Sequence, residues 1–420
     1  METASEHIIK NLNQKQAGKA LAGIKILDFT QALAGALATK TLADFGATVI
    51  KIEGVTRPDP HRTAAHYKDG IPGLNRRGEF CEDATGKLSL ALNLANSKGK
   101  QIARNLAGWA DVVVENFAGG VMERLGLGYE DLKKVNPEII MLSSCMQDQT
   151  GPFADHPGFG FHMAALAGFY QITGWPDREP PYLGPYTDFI APHFNLAAIL
   201  AALDYRKRTG QGQYIDVSQY ENGVHFLSPL ILDCQINARI ADRMGNRNDH
   251  AVPHDAFRCQ GEDRWCAIAV FTSEEWEDFC QVIGNPAWTK KPEFTTLAGR
   301  KKHEDELNGR IEEWTLQHTA EEVMCMMQAA GVAAGVLQTG EDLLENDPQL
   351  KHRNFFRELD HPEVGKHHVP GPPFKLSETP FELKRAPLVG EHNEYVLKEI
   401  LGMSDEDMSE LIAKEVVEFP

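Results

Sequence analysis

The sequence predicts an α/β protein with a large domain built on a Rossmann-like open sheet and a second, smaller α+β domain. The chain has 420 residues, more than a single domain usually contains. Apolar strand-like runs alternate with helix-like segments through its first half, as in a parallel sheet covered on both faces. From about residue 226 the pattern changes to short strands and capped helices. The predicted large domain is therefore 1–225 with 346–420, and the small domain is 226–345.

The large domain begins with a strand, a helix and a second strand, which together predict a βαβ unit. The later strands are short β-branched runs, and the helices between them are longer and amphipathic. Pro192 predicts the start of one helix, because a fixed φ and a missing N–H cost nothing in a first helical turn. The predicted elements are strand 24–29, helix 34–45, strand 48–53, strand 88–93, helix 98–110, strand 111–115, strand 138–144, helix 192–203 and strand 214–217.

In the small domain, a polar turn between 257–259 and 265–270 predicts a β-hairpin. Thr272 and Thr319 are each followed three residues later by a glutamate, the pattern of a capping box, and predict two helix starts. The last predicted segments are a long Pro-rich surface connection over 361–380 and a final helix over 393–401.

Composition and charge exclude several classes of function. The chain carries 42 Lys and Arg against 60 Asp and Glu, a formal charge of −18, which is the wrong sign for binding nucleic acid or an anionic membrane. Its seven cysteines form no CxxC pair, which favours reduced thiols. No export signal or membrane-spanning stretch is recognisable, so a cytoplasmic location is expected.

The familiar cofactor motifs are absent from the sequence. Gly35 is the one glycine between the first strand and helix, whereas a dinucleotide fingerprint needs three. His250 and His254 are separated by Pro253, which breaks a shared helical face, so no metal site is predicted. What remains is a single acid, Asp188, among aromatic residues and prolines and just ahead of the predicted helix start. By itself, such an aspartate most often caps a turn or a helix.

Six short segments nevertheless occur in an order and spacing that span most of the chain. They are GIKILDFT at 23–30, VIKIE at 49–53, ADVVVENF at 110–117, RLG at 124–126, TGQGQ at 209–213 and APLVGEH at 386–392. Together they resemble the family III CoA-transferases, which include formyl-CoA:oxalate and carnitine CoA-transferases. The resemblance implies two interlocked subunits, acyl-CoA and carboxylic acid substrates, and no permanently bound cofactor. A homodimer and a heteromer with a related subunit both remain open.

The resemblance also implies roles for individual residues. Asp188 falls at the family's nucleophilic aspartate, which attacks an acyl-CoA to give a mixed anhydride and then an aspartyl-CoA thioester. Two positions depart from the family, because Leu33 replaces a glutamine and Gly54 replaces an arginine. The residues implied to contact CoA are Leu33, Ala34, Leu92, Asn116, Phe117 and Arg124. Lys51, Arg76 and Arg77 either assist with the phosphates or are solvated surface charges.

Phe159 and Phe161 stand where formyl-CoA transferase has charged and phenolic residues near its small acids. Apolar side chains there favour a bulky or aromatic acceptor such as benzylsuccinate, because polar pocket atoms would be left unpaired against such a group. An alternative is that both phenylalanines belong to the core. The donor expected by resemblance is succinyl-CoA or a similar acyl-CoA.

Two other functions are compatible with the same fold. An acyl-CoA racemase would use a histidine and an aspartate as its two bases, but the histidine position corresponds to Phe159. A non-catalytic subunit of a mixed transferase is the other alternative, and the presence of Asp188 argues against it.

Overall fold

The computed structural model describes residues 18–419. The chain divides into two compact units, a larger one of 18–169, 183–236 and 351–419 and a second one of 170–182 and 237–350. Residues 170–182 group with the second unit rather than with the segments that flank them in the chain. The α/β class, with a Rossmann-like sheet in the larger unit, is confirmed.

The larger unit is built on a six-stranded sheet in the order β3-β2-β1-β4-β5-β6, and every neighbouring pair is parallel. Its strands are β1 (Lys25–Asp28), β2 (Thr48–Glu53), β3 (Leu88–Ala91), β4 (Val112–Glu115), β5 (Ile140–Cys145) and β6 (Tyr214–Ser218). Its helices before β6 are α1 (Ala34–Asp44), α2 (Pro60–Thr63), α3 (Gly78–Asp83), α4 (Ser97–Trp109), α5 (Val121–Leu125), α6 (Tyr129–Leu132), α7 (Gly160–Leu166) and α9 (Tyr186–Thr209). The short helix α8 (Phe169–Ile172) begins in the larger unit, and its residues from 170 onward group with the second unit. After β6 follow α10 (Gln219–Phe226) and α11 (Ser228–Asn237).

Both faces of this sheet are buried. Ile26 and Leu27 are adjacent in β1, yet they belong to different hydrophobic clusters on opposite faces. One cluster includes Leu106 of α4, and the other includes Ile199 of α9. Helices on both faces explain why consecutive residues of a strand are buried, as in β4, where all four residues are buried.

The second unit contains the antiparallel sheet β7-β8-β9, and its hairpin and both capping boxes are confirmed. Its strands are β7 (His254–Arg258), β8 (Trp265–Ala269) and β9 (Ala333–Val336). Its helices are α12 (Ser273–Val282), α13 (Leu297–Lys302), α14 (Glu304–Thr315), α15 (Ala320–Ala329) and the π-helical turn Asp342–Asn346. Phe257, Phe279 and Leu307 lie in its hydrophobic core.

Three local predictions are wrong. The helix expected to begin at Pro192 is α9, which begins at Tyr186 and keeps the buried Pro192 inside it. The expected connection 361–380 contains half of a hairpin instead, formed by β10 (Phe356–His361) and β11 (Gly365–Pro370). The expected final helix is the π-helical turn Tyr395–Ile400, and a further helix follows it. Two further helices lie in the C-terminal part of the chain, α16 (Pro348–Arg353) before β10 and α17 (Asp405–Ala413) after the π-helical turn.

The order of the strands positions the functional site. From β1 the chain proceeds to β2 and β3 on one side of the sheet, and β4, β5 and β6 lie on the other side. The loops that follow β1 and β4 therefore diverge at the carboxyl end of the sheet and leave a crevice, where ligands bind in open α/β sheets.

Candidate active site

A cavity of about 300 Å³ lies at this crevice, entirely within the larger unit. Its residues come from the loops after β1, β4 and β5 and from the first turns of α1, α2, α7, α9 and α10. They are Gln31, Ala32, Leu33, Ala34, Pro60, Asn116, Phe117, Ala118, Ser144, Met146, Pro157, Gly158, Phe159, Gly160, Asp188 and Gln219. Asp188 is the one charged residue among them.

Asp188 is the third residue of α9, not a residue ahead of a helix. A carboxylate in a first helical turn is favoured by the helix dipole. Burial acts in the opposite direction and raises the pKa of Asp188 to about 6, while a hydrogen bond from Gln219 and the charge of His61 partly offset that rise. With this pKa the carboxyl group is mostly ionised at pH 7 and mostly protonated at pH 5.

Gly160 leaves room for the Asp188 carboxylate. A Cβ atom added to Gly160 would lie 2.1 Å from Oδ1 and 2.5 Å from Cγ of Asp188, far inside van der Waals contact. The neighbouring Thr187 hydroxyl donates a hydrogen bond to the carbonyl oxygen of Gly160 at 2.9 Å. The start of α7 and the first turn of α9 are thus held together with the carboxylate between them.

The loop after β1 is fixed by Asn116, at the end of β4. The Asn116 side chain accepts a hydrogen bond from the Gln31 N–H at 2.8 Å and donates one to the Gln31 carbonyl at 2.7 Å. Both ends of this amide are therefore occupied by the loop that carries Leu33 and Ala34. Asn116 supports the cavity wall as well as lining it.

The buried ion pair of Lys51 and Asp59 also holds the loop after β1. Lys51 Nζ lies 2.8 Å from Asp59 Oδ2 and donates to the Thr30 carbonyl at 2.7 Å, and Asp59 Oδ1 accepts from the Ala32 N–H. Ala32 has a φ of +55°, a left-handed conformation that costs about 1–2 kcal/mol in a non-glycine residue. Lys51 is only 1% exposed, so it is neither a surface charge nor available to a phosphate.

The cavity brings together six of the nine residues expected from the sequence: Leu33, Ala34, Asn116, Phe117, Phe159 and Asp188. Leu92 is 2% exposed and lies in the hydrophobic core. Arg124 is exposed on α5 outside the cavity lining, with its guanidinium 3.4 Å from the Gly119 carbonyl oxygen. Phe161 is partly buried and stacks against Phe159, whose own side chain is 62% exposed.

Gln219, Gly160 and Ser144 line the cavity but were not singled out from the sequence. Ser144 lies near the end of β5 and Gln219 directly follows β6. Polar residues where parallel strands end are the signal that points to such positions. Gly160 has no comparable signal, because its role depends on how close Asp188 comes.

Within residues 18–419 no group of three histidine, cysteine, aspartate or glutamate side chains is arranged to hold a metal ion. No helix in that range is long and apolar enough to cross a membrane.

Comparison with known proteins identifies the family. Residues 21–393 match the family model of CoA-transferase family III. The chain is 31% identical to succinyl-CoA–D-citramalate CoA-transferase of Chloroflexus aurantiacus, over 97% of this chain and all of that protein. It is also 31% identical to the succinyl-CoA–L-malate CoA-transferase beta subunit of the same organism, over 94% of this chain and 98% of that one.

Among solved structures, a CAIB/BAIF family protein from Brucella suis superposes with a TM-score of 0.83 and 29% identity. That superposition covers 91% of this chain and all of the Brucella protein. Sequence and fold agree, and the resemblance inferred from short segments is confirmed: this chain belongs to CoA-transferase family III and is a CoA-transferase.

Proposed function

We propose that Asp188 is the nucleophile that carries CoA from an acyl-CoA donor to a carboxylic acid acceptor. The observation that carries this proposal is a partly buried carboxylate in a first helical turn, which is the one charged group among the described residues that line the cavity. Shielding from bulk water protects an acyl anhydride from hydrolysis, and the helix dipole helps to keep the carboxylate ionised.

The proposed reaction begins when an Asp188 oxygen attacks the donor thioester. The new C–O bond gives a mixed anhydride as the C–S bond breaks and CoA thiolate leaves. The thiolate then attacks the Asp188 carboxyl carbon, which forms aspartyl-CoA and releases the donor acid. The acceptor carboxylate attacks the same carbon and displaces the thiolate, which finally attacks the acceptor acyl carbon and restores free Asp188.

CoA enters this proposal as part of the substrates, with no cofactor held permanently. Leu33, Ala34 and Phe117 line the same cavity as Asp188 and are proposed to contact the thioester end of CoA. The cavity is at the small end of ligand pockets, large enough for an acyl group but not for the nucleotide. Arg124, which lies outside the cavity lining, is the proposed phosphate contact.

The proposed acceptor is a bulky or aromatic acid such as benzylsuccinate, and the proposed donor is succinyl-CoA. The apolar side chains of Leu33, Phe117, Met146 and Phe159 support the acceptor, because they offer apolar contact and no charge. The Chloroflexus relative named for succinyl-CoA supports the donor.

The substrate proposal is tested with succinyl-CoA and acetyl-CoA as donors against a panel of acids. Benzylsuccinate and phenyl-substituted acids are expected to give higher kcat/KM than malate, citramalate and oxalate. A preference for the small polar acids would overturn the assignment of the acceptor and leave the nucleophile untouched.

The nucleophile is tested by trapping. The protein is incubated with the donor, treated with hydroxylamine, digested and mapped by mass spectrometry. A hydroxamate at Asp188 is expected. An unmodified Asp188 during full turnover would contradict the proposal. Loss of α-deuterium from the substrate without a covalent adduct would indicate a racemase instead. His162, a histidine close in sequence to the racemase position, has its Nδ1 atom occupied by a hydrogen bond from the Phe159 N–H at 3.0 Å.

A dimer is also part of the proposal. None of the ten residues of α11 is buried, and three of them are large apolar side chains. Ile231, Leu232 and Ile236 are 40%, 52% and 77% exposed. An apolar helix with no buried face favours a covering partner, and the family's interlocked dimer supplies one. The beta-subunit relative keeps a heteromer open. Sedimentation of the purified chain at micromolar concentration is expected to give twice the monomer mass, and an active monomer would overturn this part.

A further inference from the structure

Gln219 lies against the Asp188 carboxylate, at the junction of β6 and α10. It is the first residue of α10, and the Ser218 side chain caps that helix by accepting the Glu221 N–H at 3.1 Å. The Gln219 side chain is 5% exposed and lines the same cavity as Asp188. Its position is therefore fixed by a capped helix start and by burial.

The two ends of the Gln219 amide have different environments. A hydrogen bond from the Gln219 side chain lowers the pKa of the Asp188 carboxyl group, which lines the same cavity, whereas the Gln219 Oε1 atom is buried and has no partner among the described residues. Asn116 differs, because both ends of its amide bind Gln31. A buried acceptor without a partner costs about 1–3 kcal/mol, so packing alone does not account for an amide at this position.

We propose that Gln219 is a second catalytic residue, whose amide N–H holds one Asp188 oxygen and stabilises the charge that develops on it when the Asp188 carboxyl carbon is attacked. This inference rests on the proposed function, in which Asp188 is the nucleophile. Gln219 touches a reacting atom in that scheme, and it acts there as an oxyanion donor.

The steps of the reaction differ in their need for this donor. When CoA thiolate attacks Asp188 Cγ, a C–S bond forms and the carbonyl electron pair moves onto the oxygen held by Gln219. Collapse of that intermediate breaks the bond from Cγ to the acyl oxygen and releases the donor acid. When the acceptor carboxylate attacks Cγ of aspartyl-CoA, negative charge again develops on the oxygen held by Gln219, before the C–S bond breaks. In the first attack, by contrast, the charge develops on the donor thioester oxygen.

Gln219→Met tests this selectivity, because methionine keeps the length of the side chain and removes the amide. A single turnover uses succinyl-CoA labelled in its succinyl group, or labelled acetyl-CoA if the wild type consumes that donor faster. The variant is expected to release labelled acid about 10²–10³-fold more slowly than the wild type, as for other lost oxyanion donors. Release at the wild-type rate would overturn the inference.

A matched control is Gln101→Met, since Gln101 is exposed on α4 and hydrogen-bonds to Asn105 on the same helix. It is expected to turn over at the wild-type rate. If Gln219→Met does not fold, Gln219→Glu keeps the size of the side chain and, ionised at pH 8, also lacks the donor. A wild-type rate for that variant would equally overturn the inference.

The pH profile gives a readout that a purely structural role would not move. Because the amide N–H favours the ionised Asp188, its removal should shift the acid limb of kcat/KM to higher pH. An unshifted limb in a folded Gln219→Met protein counts against the inference.

The two proposals fail in different ways. If hydroxylamine never modifies Asp188 in the active wild type, the proposed nucleophile is wrong. If Asp188 is modified but Gln219→Met releases acid at the wild-type rate, only the role of Gln219 is wrong.

Discussion

The cavity has two walls that differ in how their polar groups are paired. In the loop wall, 31–34 and 116–118, the Asn116 side chain bonds both backbone groups of Gln31, and the Lys51–Asp59 pair bonds the Ala32 N–H through Asp59. The helix wall, formed by Gly160, Asp188 and Gln219, contains a carboxylate whose pKa is raised by burial and an amide oxygen without a partner among the described residues.

The difference between the walls reflects two demands on a transferase. A binding surface gains from rigid, satisfied groups, because little is lost in ordering it when the ligand arrives. A reacting group must remain incompletely satisfied, so that its interactions improve as the reaction proceeds. The loop wall therefore fits a role in binding, and the helix wall fits a role in chemistry.

The largest expected effect is that of Asp188→Asn, which removes the proposed nucleophile and keeps its shape. CoA transfer should fall roughly 10⁴-fold or more, as when other nucleophiles are removed. The folded pKa of Asp188, about 6, lies above its unfolded value of 3.8, so its ionisation costs stability at pH 7. The variant should therefore be more stable than the wild type at pH 7, by an amount of order 1–3 kcal/mol.

Chemical denaturation at several pH values measures this gain, which should shrink as the pH falls from 6 to 4 and disappear only below the unfolded pKa of 3.8, where the wild-type carboxyl group is protonated in both the folded and the unfolded state. A variant that keeps transfer activity, or that unfolds more easily at pH 7, would contradict the assignment of the helix wall.

Next in size is Lys51→Met, which breaks the ion pair beneath the loop wall. It leaves the buried Asp59 carboxylate without its cation, and such changes cost about 3–5 kcal/mol of stability. Transfer should show a raised KM for acyl-CoA with a smaller change in kcat, because the loop binds but does not react. Thermal unfolding and steady-state kinetics test both parts. A fall in kcat with an unchanged KM would contradict the assignment of binding to the loop wall and of chemistry to the helix wall.

Gly160→Ala should have an intermediate effect, because the added Cβ would lie 2.1 Å from Asp188 Oδ1. Displacement of the carboxylate by about 1 Å is expected to lower kcat roughly 10²-fold. Gly108→Ala is the matched control, since nothing lies within 4 Å of its added Cβ in the exposed part of α4. That control should keep full activity and gain about 0.5–1 kcal/mol in stability.

The smallest effect is the pH dependence of the wild type. Asp188 reacts as the carboxylate, and its pKa of about 6 means that the ionised fraction falls as the pH decreases through 6. From pH 7 to pH 5, kcat/KM for the donor should fall about tenfold. A profile flat down to pH 5 would indicate that the nucleophile has an ordinary carboxyl pKa.

Much of the fold could be predicted because its signals are local. β4 contains three consecutive valines, and the capping boxes at Thr272 and Thr319 lie within four residues. The hairpin of β10 and β11 was missed because its strands contain histidines, charged residues and a proline. The start of α9 was missed because Pro192 is tolerated inside the helix, where it is buried.

The candidate site, like the fold, could be predicted from the sequence only in part. Asp188 was found through the order of family-like segments, and the loop residues after β1 and β4 were implied by the same family resemblance. Leu92 and Arg124 were expected from the same pattern, but side-chain burial and the path of a short helix put them outside the cavity lining. Sequence spacing does not contain that information.

The sequence by itself determined the fold class, the family and the acidic residue at the centre of the proposal, because apolar periodicity and motif order can be read along one chain. Only the tertiary structure decided what surrounds that acid. Gly160, Asp188 and Gln219 lie on three different helices, far apart in sequence. Their hydrogen bonds and their effect on the Asp188 pKa arise only where those helices meet, since burial and short contacts are properties of the packed chain.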